Sequence, residues 1–374
     1  MLNEVVKKLV QDLSQQVPEH DLGDPFLSTP SYRPYPLDPS NFSVIRSVDS
    51  TRRFAFVDGG NFELIRAPNF SVQLNRVYYG MFSGKHRVQP RTLPQRMEFF
   101  SLTLAKFRDD NIFYDTSLFP IIDDHQEFLP DPRDLSIDST DRRLMIGESR
   151  ADIGRVASVA RRFAEWQFAK YVVEKELADN DVLVMDGILR TAFTNESKYS
   201  RSAYQASRAK GVIYMGLSKS SRLFTTTGVS LLGAIRSIAT DHRVSPLWYY
   251  YPIADSLSPD HEAAIFVTKL SEDSQRVFRC EIDAQRIKSL SAKELNEVFW
   301  QLSANCADLA FPGYPYGLVD ADANARIRHE ELETYRVSLF SEISKLGASS
   351  RILSHIQSSD AHQVLNALRE VPFA

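Results

Sequence analysis

Two short apolar runs, each closed by an aspartate and a glycine, constrain the fold of this chain more than any other feature. They are FAFVDGG at 54–60 and VLVMDG at 182–187. Short apolar runs that stop at glycine are typical of fully buried strands. A carboxylate at the end of such a strand lies at the edge of the sheet, where an ion or a ligand can reach it. Asp58 and Asp186 therefore predict two carboxylates that converge on one metal site, the arrangement that phosphoryl-transfer chemistry requires.

Length and charge limit the function classes that remain open. The chain has 374 residues, 43% of them hydrophobic and 25% charged, so it can bury a large core as one big domain or two ordinary ones. The net charge of −4, from 44 basic and 48 acidic residues, gives no overall signature of nucleic-acid binding. A local basic groove remains compatible with that balance.

Cysteine usage and hydropathy predict a cytoplasmic protein. Cys280 and Cys306 have no metal-binding spacing, which argues against a disulfide scaffold and a structural zinc site. Glu4, Lys7 and Lys8 interrupt the first apolar stretch, which is therefore not typical of a signal peptide. The sequence has no apolar run long enough to predict a membrane span.

Changes in composition divide the chain into three predicted parts. Residues 1–50 are expected to form an N-terminal helix at 2–16 and an extended arm rich in Pro, Ser and Asp. Residues 51–346 are the predicted main domain, and residues 347–374 a C-terminal helical tail. Within the main domain, the Pro-, Arg- and Asp-rich stretch 83–147 is predicted to be an insertion with its own small structure.

The main domain is predicted to have an α/β fold with a ribonuclease H-like mixed sheet flanked by helices. It opens with an antiparallel meander whose first strand is closed by a turn at Gly59-Gly60, and a long helix at 150–177 then leads into strand 182–186. Meander, helix and parallel strand are the opening of the ribonuclease H-like topology. The alternation of strands and helices continues after residue 186, which favours a sheet covered by helices on both faces. The other predicted elements are strands near 54–58, 62–65, 71–82, 212–217, 263–270 and 277–282, and helices near 200–209, 229–239, 291–309, 320–346 and 360–370.

Each candidate carboxylate has a structural alternative. Asp58 and its glycines could form an ordinary hairpin turn, although paired glycines also let a ligand approach the backbone. Asp186 ends a strand that follows a long helix and should lie centrally in the sheet, where open α/β sheets place their sites. Glu165 lies on that helix between its polar and apolar faces. It could point at the sheet edge, or form an ion pair with Arg161 four residues earlier.

Lys219 and the segment 312–322 supply the remaining candidates. A lysine at the end of strand 212–217 could steady a phosphate or orient a water, or could simply be solvated. The Pro- and Gly-rich segment predicts a tight loop before a helix. Of its acidic pair, Asp320 and Asp322, one is predicted to cap that helix while the other is free to reach a metal. The histidines have no spacing typical of a zinc site.

A cluster made only of carboxylates selects hard cations, Mg²⁺ or Mn²⁺, over zinc. Two such ions about 4 Å apart activate a water and stabilise the leaving oxygen of a phosphodiester. Because three or four carboxylates repel one another until a metal binds, the metal-free site should have raised pKa values. The residues by themselves therefore predict metal-dependent cleavage of phosphodiester bonds.

Taken together, these motifs resemble the NurA nuclease family, whose members act with the hexameric DNA translocase HerA. The resemblance extends over about residues 54–330 and is carried by FVDGG, RRFAEW with VLVMDG, GLSKSS and GYPYGLVDADANARI. Each stretch alone is unspecific, but their succession is fairly specific. The resemblance implies a homodimer with a ribonuclease H-like core. It also implies a manganese-dependent endonuclease and 5′–3′ exonuclease that acts with a HerA-like ATPase in DNA end resection and repair.

The resemblance also implies roles for individual residues. Asp58, Glu165 and Asp186 match the metal ligands of the family. Tyr314 matches its site tyrosine, and Lys219 matches the lysine that follows the fourth strand. These two side chains are expected to position the scissile phosphate.

Asp322 departs from the pattern of the family. Some members have a histidine at this position, eight residues past Tyr314. An aspartate can bind the same metal but cannot act as a cationic acid near neutral pH. We therefore add Asp322 to the expected metal ligands and expect the protonation step to differ.

Two other functions remain open. An actin-like or sugar-kinase-like ATPase shares the ribonuclease H-like core, but it should have an adenosine-binding glycine motif late in the chain, and Gly313, Gly317 and Gly347 have the wrong context for one. A catalytically weak adaptor that docks on a translocase is the non-enzymatic alternative, and the change at Asp322 keeps it open. A nuclease needs Mn²⁺ or Mg²⁺, the ATPase needs ATP, and an adaptor needs neither.

Overall fold

A twelve-stranded mixed sheet with helices on both faces forms the centre of the protein. The computed structural model describes residues 2–16, 22–27, 30–308, 311–347 and 349–357. The strands are β1 (Pro25–Phe26), β2 (Tyr32–Pro34), β3 (Phe42–Val44), β4 (Phe54–Ala67), β5 (Phe70–Ser83), β6 (His86–Val88), β7 (Arg96–Arg108), β8 (Asn111–Pro120), β9 (Ser136–Asp138), β10 (Val182–Asp186), β11 (Ile213–Ser218), β12 (Phe224–Thr225), β13 (Trp248–Tyr250), β14 (Ala254–Ser256), β15 (Ala263–Lys269) and β16 (Phe278–Asp283). The α-helices are α1 (Leu2–Gln16), α2 (Ile153–Ala157), α3 (Val159–Lys175), α4 (Glu196–Ala209), α5 (Leu231–Asp241), α6 (Ala284–Ile287), α7 (Ala292–Ala304), α8 (Tyr316–Ala325), α9 (His329–Lys345) and α10 (Ser349–Gln357).

The strand order confirms the predicted ribonuclease H-like topology. The strands of the main sheet follow one another as β3-β13-β15-β16-β11-β10-β4-β5-β7-β8-β9, and β6 pairs with β5. At the centre, β10 lies parallel to β4 on one side and to β11 on the other. The meander of β4, β5 and β7 is antiparallel, and α3 connects it to β10. The predicted succession of meander, long helix and parallel strand is therefore present.

Successive residues of the central strands pack into two separate cores, because side chains of a strand alternate between its faces. The odd-numbered residues at the start of β4 and in β10 pack with α3 and α4. The even-numbered residues pack with α7 and α8. This double burial explains why both strands are continuously apolar in sequence.

The glycine pair that follows Asp58 does not form a turn. Strand β4 continues through Gly59 and Gly60, so the predicted turn and the separate second strand of the meander are wrong. A Cβ atom on Gly59 would overlap the carboxylate of Glu165, and one on Gly60 would overlap the carbonyl oxygen of Ala325. Glycine is therefore required here because α3 and α8 approach β4 closely from opposite faces.

The segment 83–147 extends the main sheet. Its strand β7 pairs with β5, β8 pairs with β7, and β9 pairs with β8. In the described chain this segment has no separate sheet of its own, contrary to the small independent structure expected for an insertion. The third strand of the meander is β7, which lies within the segment predicted to be an insertion. The division of the chain into domains stays a prediction.

The ends of the chain follow the predicted elements only in part. Helix α1 confirms the helix predicted at 2–16. The predicted extended arm contains short strands, since β1, β2 and β3 pair with β12, β14 and β13. The single helix predicted at 320–346 is divided into α8 and α9. The helix predicted at 360–370 lies outside the described residues, and no described helix is long and apolar enough to cross a membrane.

Candidate active site

Strands β4 and β10 bring two predicted site residues to neighbouring positions. The last residues of these strands in register are Val57 and Met185, and Asp58 and Asp186 come directly after them. Because the strands are parallel and side chains alternate along each strand, both aspartates belong to the face that α8 covers. The sequence motif therefore places two carboxylates side by side at one edge of the sheet.

Helix α8 supplies a third carboxylate. One oxygen atom from each of Asp58, Asp186 and Asp322 can be chosen so that these atoms all lie within 4.8 Å of one another. Carboxylate oxygens are hard donors that suit Mg²⁺ or Mn²⁺, so this set of residues fits a divalent cation.

The cap of α8 differs from the prediction. The helix begins at Tyr316, so Asp320 and Asp322 lie inside it and the predicted capping role is wrong for both. Asn305 satisfies the first turn instead, because its carbonyl oxygen accepts from the Tyr316 amide and its Oδ1 accepts from the Gly317 amide, each at 2.8 Å. Such a tertiary cap leaves no local sequence signal.

The two members of the acidic pair have different surroundings. Asp320 is buried and forms an ion pair with Arg87 of β6. Asp322 is exposed and points to the aspartates of β4 and β10. The ion pair at Asp320 ties α8 to β6, which helps to hold Asp322 at the site.

Lys219 and Tyr314 both contact this group. The Lys219 ammonium lies 2.6 Å from Asp186 Oδ2 and 2.8 Å from Asp322 Oδ1. Burial alone would lower the pKa of Lys219, but these two carboxylates outweigh it and raise the pKa to about 12. The Tyr314 hydroxyl donates to Asp186 Oδ1 at 3.3 Å. Burial, followed by the charge of Asp186, raises the pKa of Tyr314, so its hydroxyl keeps its proton.

Glu165 approaches the site from the opposite face of the sheet. Its carboxylate lies against Gly59 and forms an ion pair with Arg161, the structural alternative considered from sequence. Arg162 Nη1 lies 3.6 Å from the second carboxylate oxygen of Glu165, Oε2. Burial raises the pKa of Glu165, and the two arginines oppose that rise. Its role as a metal ligand stays a prediction, since Glu165 is outside the group of three aspartates.

Asp58 has the most unusual environment among these carboxylates. Its Oδ1 accepts a hydrogen bond of 2.7 Å from the Gly59 amide. Burial, followed by the charges of Asp186 and Glu165, raises the pKa of Asp58 to about 8. A carboxyl group in this position keeps a proton near neutral pH until a cation offsets its neighbours.

The structure contains a second cluster of buried charges, which the sequence motifs do not predict. Glu281 of β16 pairs with Arg279 and with His261, and its Oε2 accepts from the Leu189 amide at 2.6 Å. Leu189 lies three residues after Asp186, so this cluster holds the loop that follows the site. A glutamate within an apolar strand was the available signal, because charged groups are rarely buried without partners.

The topology and the acidic group together define a ribonuclease H-like protein with a carboxylate site at the end of its central strands. More specifically, the chain belongs to the NurA domain family, whose model matches residues 52–327. That match confirms the resemblance noted in the sequence.

Solved structures show weaker likenesses. The NurA nuclease from Sulfolobus solfataricus is 15% identical, with a TM-score of 0.49 over 92% of this chain and 95% of that chain. An endonuclease V from Ciona intestinalis, in complex with DNA containing an inosine, is 12% identical, with a TM-score of 0.35 over 78% of this chain and 92% of that chain. The family assignment rests on the family model and on neither of these structures. None of the curated proteins matches the chain.

Proposed function

We propose that this protein is a divalent-metal-dependent DNA nuclease that hydrolyses phosphodiester bonds. The observation that carries the proposal is the group formed by Asp58, Asp186 and Asp322 in a chain of the NurA domain family. These residues would hold Mn²⁺ or Mg²⁺, with Glu165 as a further candidate ligand from the other face of the sheet. When bound, such a cation supplies Lewis-acid activation for phosphodiester hydrolysis.

The neighbouring side chains have roles that follow from their charge. Lys219 stays protonated, and it offsets the negative charge of Asp186 and Asp322 before substrate binds. The same ammonium can then bind an oxygen of the scissile phosphate. Tyr314 keeps its proton and therefore acts as a hydrogen-bond donor that orients Asp186, and cannot serve as a base near neutral pH.

The finer parts of the proposal come from the resemblance to the NurA nucleases. They are endonuclease and 5′–3′ exonuclease activity, assembly as a homodimer, and action with a HerA-like hexameric ATPase in DNA end resection. Membership of the family supports them. Because phosphate contacts dominate the binding of nucleic acids, activity should also fall steeply as salt concentration rises.

The test is cleavage of end-labelled linear DNA with Mn²⁺ by the wild type, Asp58→Asn and the control Asp241→Asn. Asp241 is an exposed carboxylate at the end of α5. We expect the wild type and control to cleave alike and Asp58→Asn to lose more than about a hundredfold, since even outer residues of metal sites contribute about 10- to 100-fold. Chelation with EDTA should stop all cleavage.

Equal cleavage by Asp58→Asn would contradict the proposed site. If no variant cleaves, the assay is repeated with a HerA-like ATPase added. Continued inactivity with that ATPase would contradict the nuclease and favour the adaptor.

Glu165→Gln separates its two possible roles. A metal ligand should lose at least about tenfold in Mn²⁺ affinity when neutralised, as measured by titration calorimetry. A purely structural partner of Arg161 should lose stability while its Mn²⁺ affinity remains that of the wild type.

A further inference from the structure

A cavity of about 250 Å³ lies beside the acidic group, and we call it the arginine pocket. It combines positive charge with aromatic rings, and the residues that matter here are Phe26, Tyr32, Arg190, Arg222, Phe224 and Arg279. None of these residues belongs to the aspartate group. The pocket is therefore a second feature of the same region.

The loops that form the pocket begin at the strand ends that carry the site. Arg190 lies four residues after Asp186 in the loop that follows β10. Arg222 lies three residues after Lys219 in the loop that follows β11. Because β10 and β11 are parallel, both loops leave the same edge of the sheet. Three extended residues span at most about 11 Å, so Arg222 lies within that distance of Lys219, and the pocket is at the same edge of the sheet as the acidic group.

The arginines of the pocket differ in their charge partners. Arg279 is buried, and its Nε donates to Glu281 Oε1 at 2.7 Å, so its charge is already neutralised. Arg190 and Arg222 are exposed and form no ion pair with a carboxylate among the described residues. Two positive charges therefore remain available at the mouth of the pocket for an anion.

Two aromatic rings stand at the rim. Phe26 of β1 and Phe224 of β12 lie directly opposite each other in an antiparallel pair. They remain 55% and 50% exposed, although large apolar side chains are usually buried when the fold allows it. Exposed rings beside uncompensated arginines are the combination with which proteins bind single-stranded nucleic acids, by stacking on bases and pairing with phosphates.

We propose that the arginine pocket binds an unpaired nucleotide that flanks the scissile phosphate, with Arg190 and Arg222 on its phosphate and Phe224 and Phe26 against its base. This proposal rests on the proposed nuclease function. It assigns a nucleotide subsite to these residues, and a base can stack in this subsite only when it is not paired in a duplex. A substrate with a single-stranded end or gap at the cleaved bond is therefore favoured.

The first test measures binding without cleavage. The full chain in EDTA is titrated into a fluorescently labelled single-stranded oligonucleotide, and anisotropy is followed at several salt concentrations. The variant is Arg190→Ala with Arg222→Ala, and the control is Lys288→Ala with Lys293→Ala. The control removes the same charge from exposed positions that follow β16, at the opposite edge of the sheet.

We expect the pocket variant to bind at least about tenfold more weakly than the control. The slope of log affinity against log salt should also become shallower by roughly 0.7, since both arginines contact one phosphate and each neutralised phosphate of a single strand contributes about 0.7. Equal affinities and slopes for the pocket variant and the control would overturn the phosphate part of the proposal.

The second test concerns the base. Phe224→Ala should weaken binding of the intact oligonucleotide by roughly tenfold. A set of oligonucleotides then carries an abasic site at each position in turn. Where the abasic site removes the base that stacks on Phe224, the wild type and Phe224→Ala should have equal affinities. A loss that is the same for every abasic position, or no loss at all, would overturn the stacking part.

Cleavage assays distinguish a failure of the pocket from a failure of the nuclease. If the wild type does not cleave DNA even with a HerA-like ATPase added, but the binding differences are present, the pocket stands and the nuclease proposal fails. If the wild type cleaves and the pocket variant has the KM and kcat of the control, the nuclease stands and the pocket fails.

Discussion

Asp58 and Glu281 are carboxylates of the same sheet with pKa values displaced in opposite directions. Burial alone would raise the pKa of Glu281, but Arg279 and His261 outweigh it and lower the pKa to about 2. At Asp58, burial and the charges of two other carboxylates act together and raise the pKa to about 8. Both side chains are largely removed from water, so burial alone does not decide the charge of either.

The two pKa displacements differ in sign because the side chains that surround the two carboxylates differ in charge. The fold surrounds Glu281 with two cationic or hydrogen-bonding side chains and a backbone amide. Around Asp58 it places Asp186, Asp322 and Glu165, with Lys219 as the cation that binds two of them. The Glu281 cluster is complete within the protein, whereas the Asp58 group needs a positive charge from outside. This contrast distinguishes a structural cluster from a candidate active site.

The largest expected effect is the loss of stability on removing Glu281. We expect Glu281→Ala to lower the free energy of unfolding by about 3–5 kcal/mol, because Arg279 and His261 are left buried without their partner. Chemical denaturation measures this value. The control Glu262→Ala should cost less than about 1 kcal/mol, because its partner Arg201 is 50% exposed and its second partner Arg208 keeps an ion pair with Asp283. Equal effects in both variants would contradict the contrast.

The second expected effect is on activity. Lys219→Met should lower the rate of DNA cleavage by about 10- to 100-fold, because it removes the cation that contacts two site carboxylates. Steady-state cleavage assays with Mn²⁺ measure the change. Lys198→Met is the control, since Lys198 is exposed and its ion pair is with Asp134, which does not belong to the acidic group of the site. A wild-type rate for Lys219→Met would remove Lys219 from the proposed site.

A smaller effect of opposite sign is expected when Asp58 is neutralised. In EDTA at pH 8, Asp58→Asn should be more stable than the wild type by roughly 1 kcal/mol, because repulsion from neighbouring carboxylates is relieved. Urea denaturation measures the difference. Added Mn²⁺ should stabilise the wild type more than the variant, and a variant that is less stable in EDTA would contradict this account.

The last prediction concerns the dependence of stability on pH. In EDTA, folded Asp58 keeps a proton between about pH 4 and pH 8 that the unfolded chain has released, so stability falls as pH rises through this range. The depressed pKa of Glu281 acts in the opposite direction, and its contribution is lost as pH falls from about 4 towards 2. We therefore expect plots of the unfolding free energy against pH, measured by chemical denaturation from pH 5 to about 9, to differ in slope between the wild type and Asp58→Asn. Parallel plots would contradict the raised pKa of Asp58 in the folded protein.

Elements with a strong local signal could be predicted from the sequence. The apolar runs before Asp58 and Asp186, the long helix between the meander and β10, and the succession of family motifs determined the ribonuclease H-like class. These features can be predicted because hydrophobic periodicity and the ends of strands are determined by residues that are close together in the sequence. The same signals placed both aspartates at one edge of the sheet.

Only the tertiary structure decided how distant segments meet. It decided that Gly59 lies within a strand beneath Glu165, that Asn305 caps α8, and that Asp322 faces the site while Asp320 binds Arg87. Each of these outcomes depends on contacts between residues that are far apart in the chain, and local propensity carries no information about such contacts. The opposite pKa displacements of Asp58 and Glu281 arise in the same way, because their partners come from other elements.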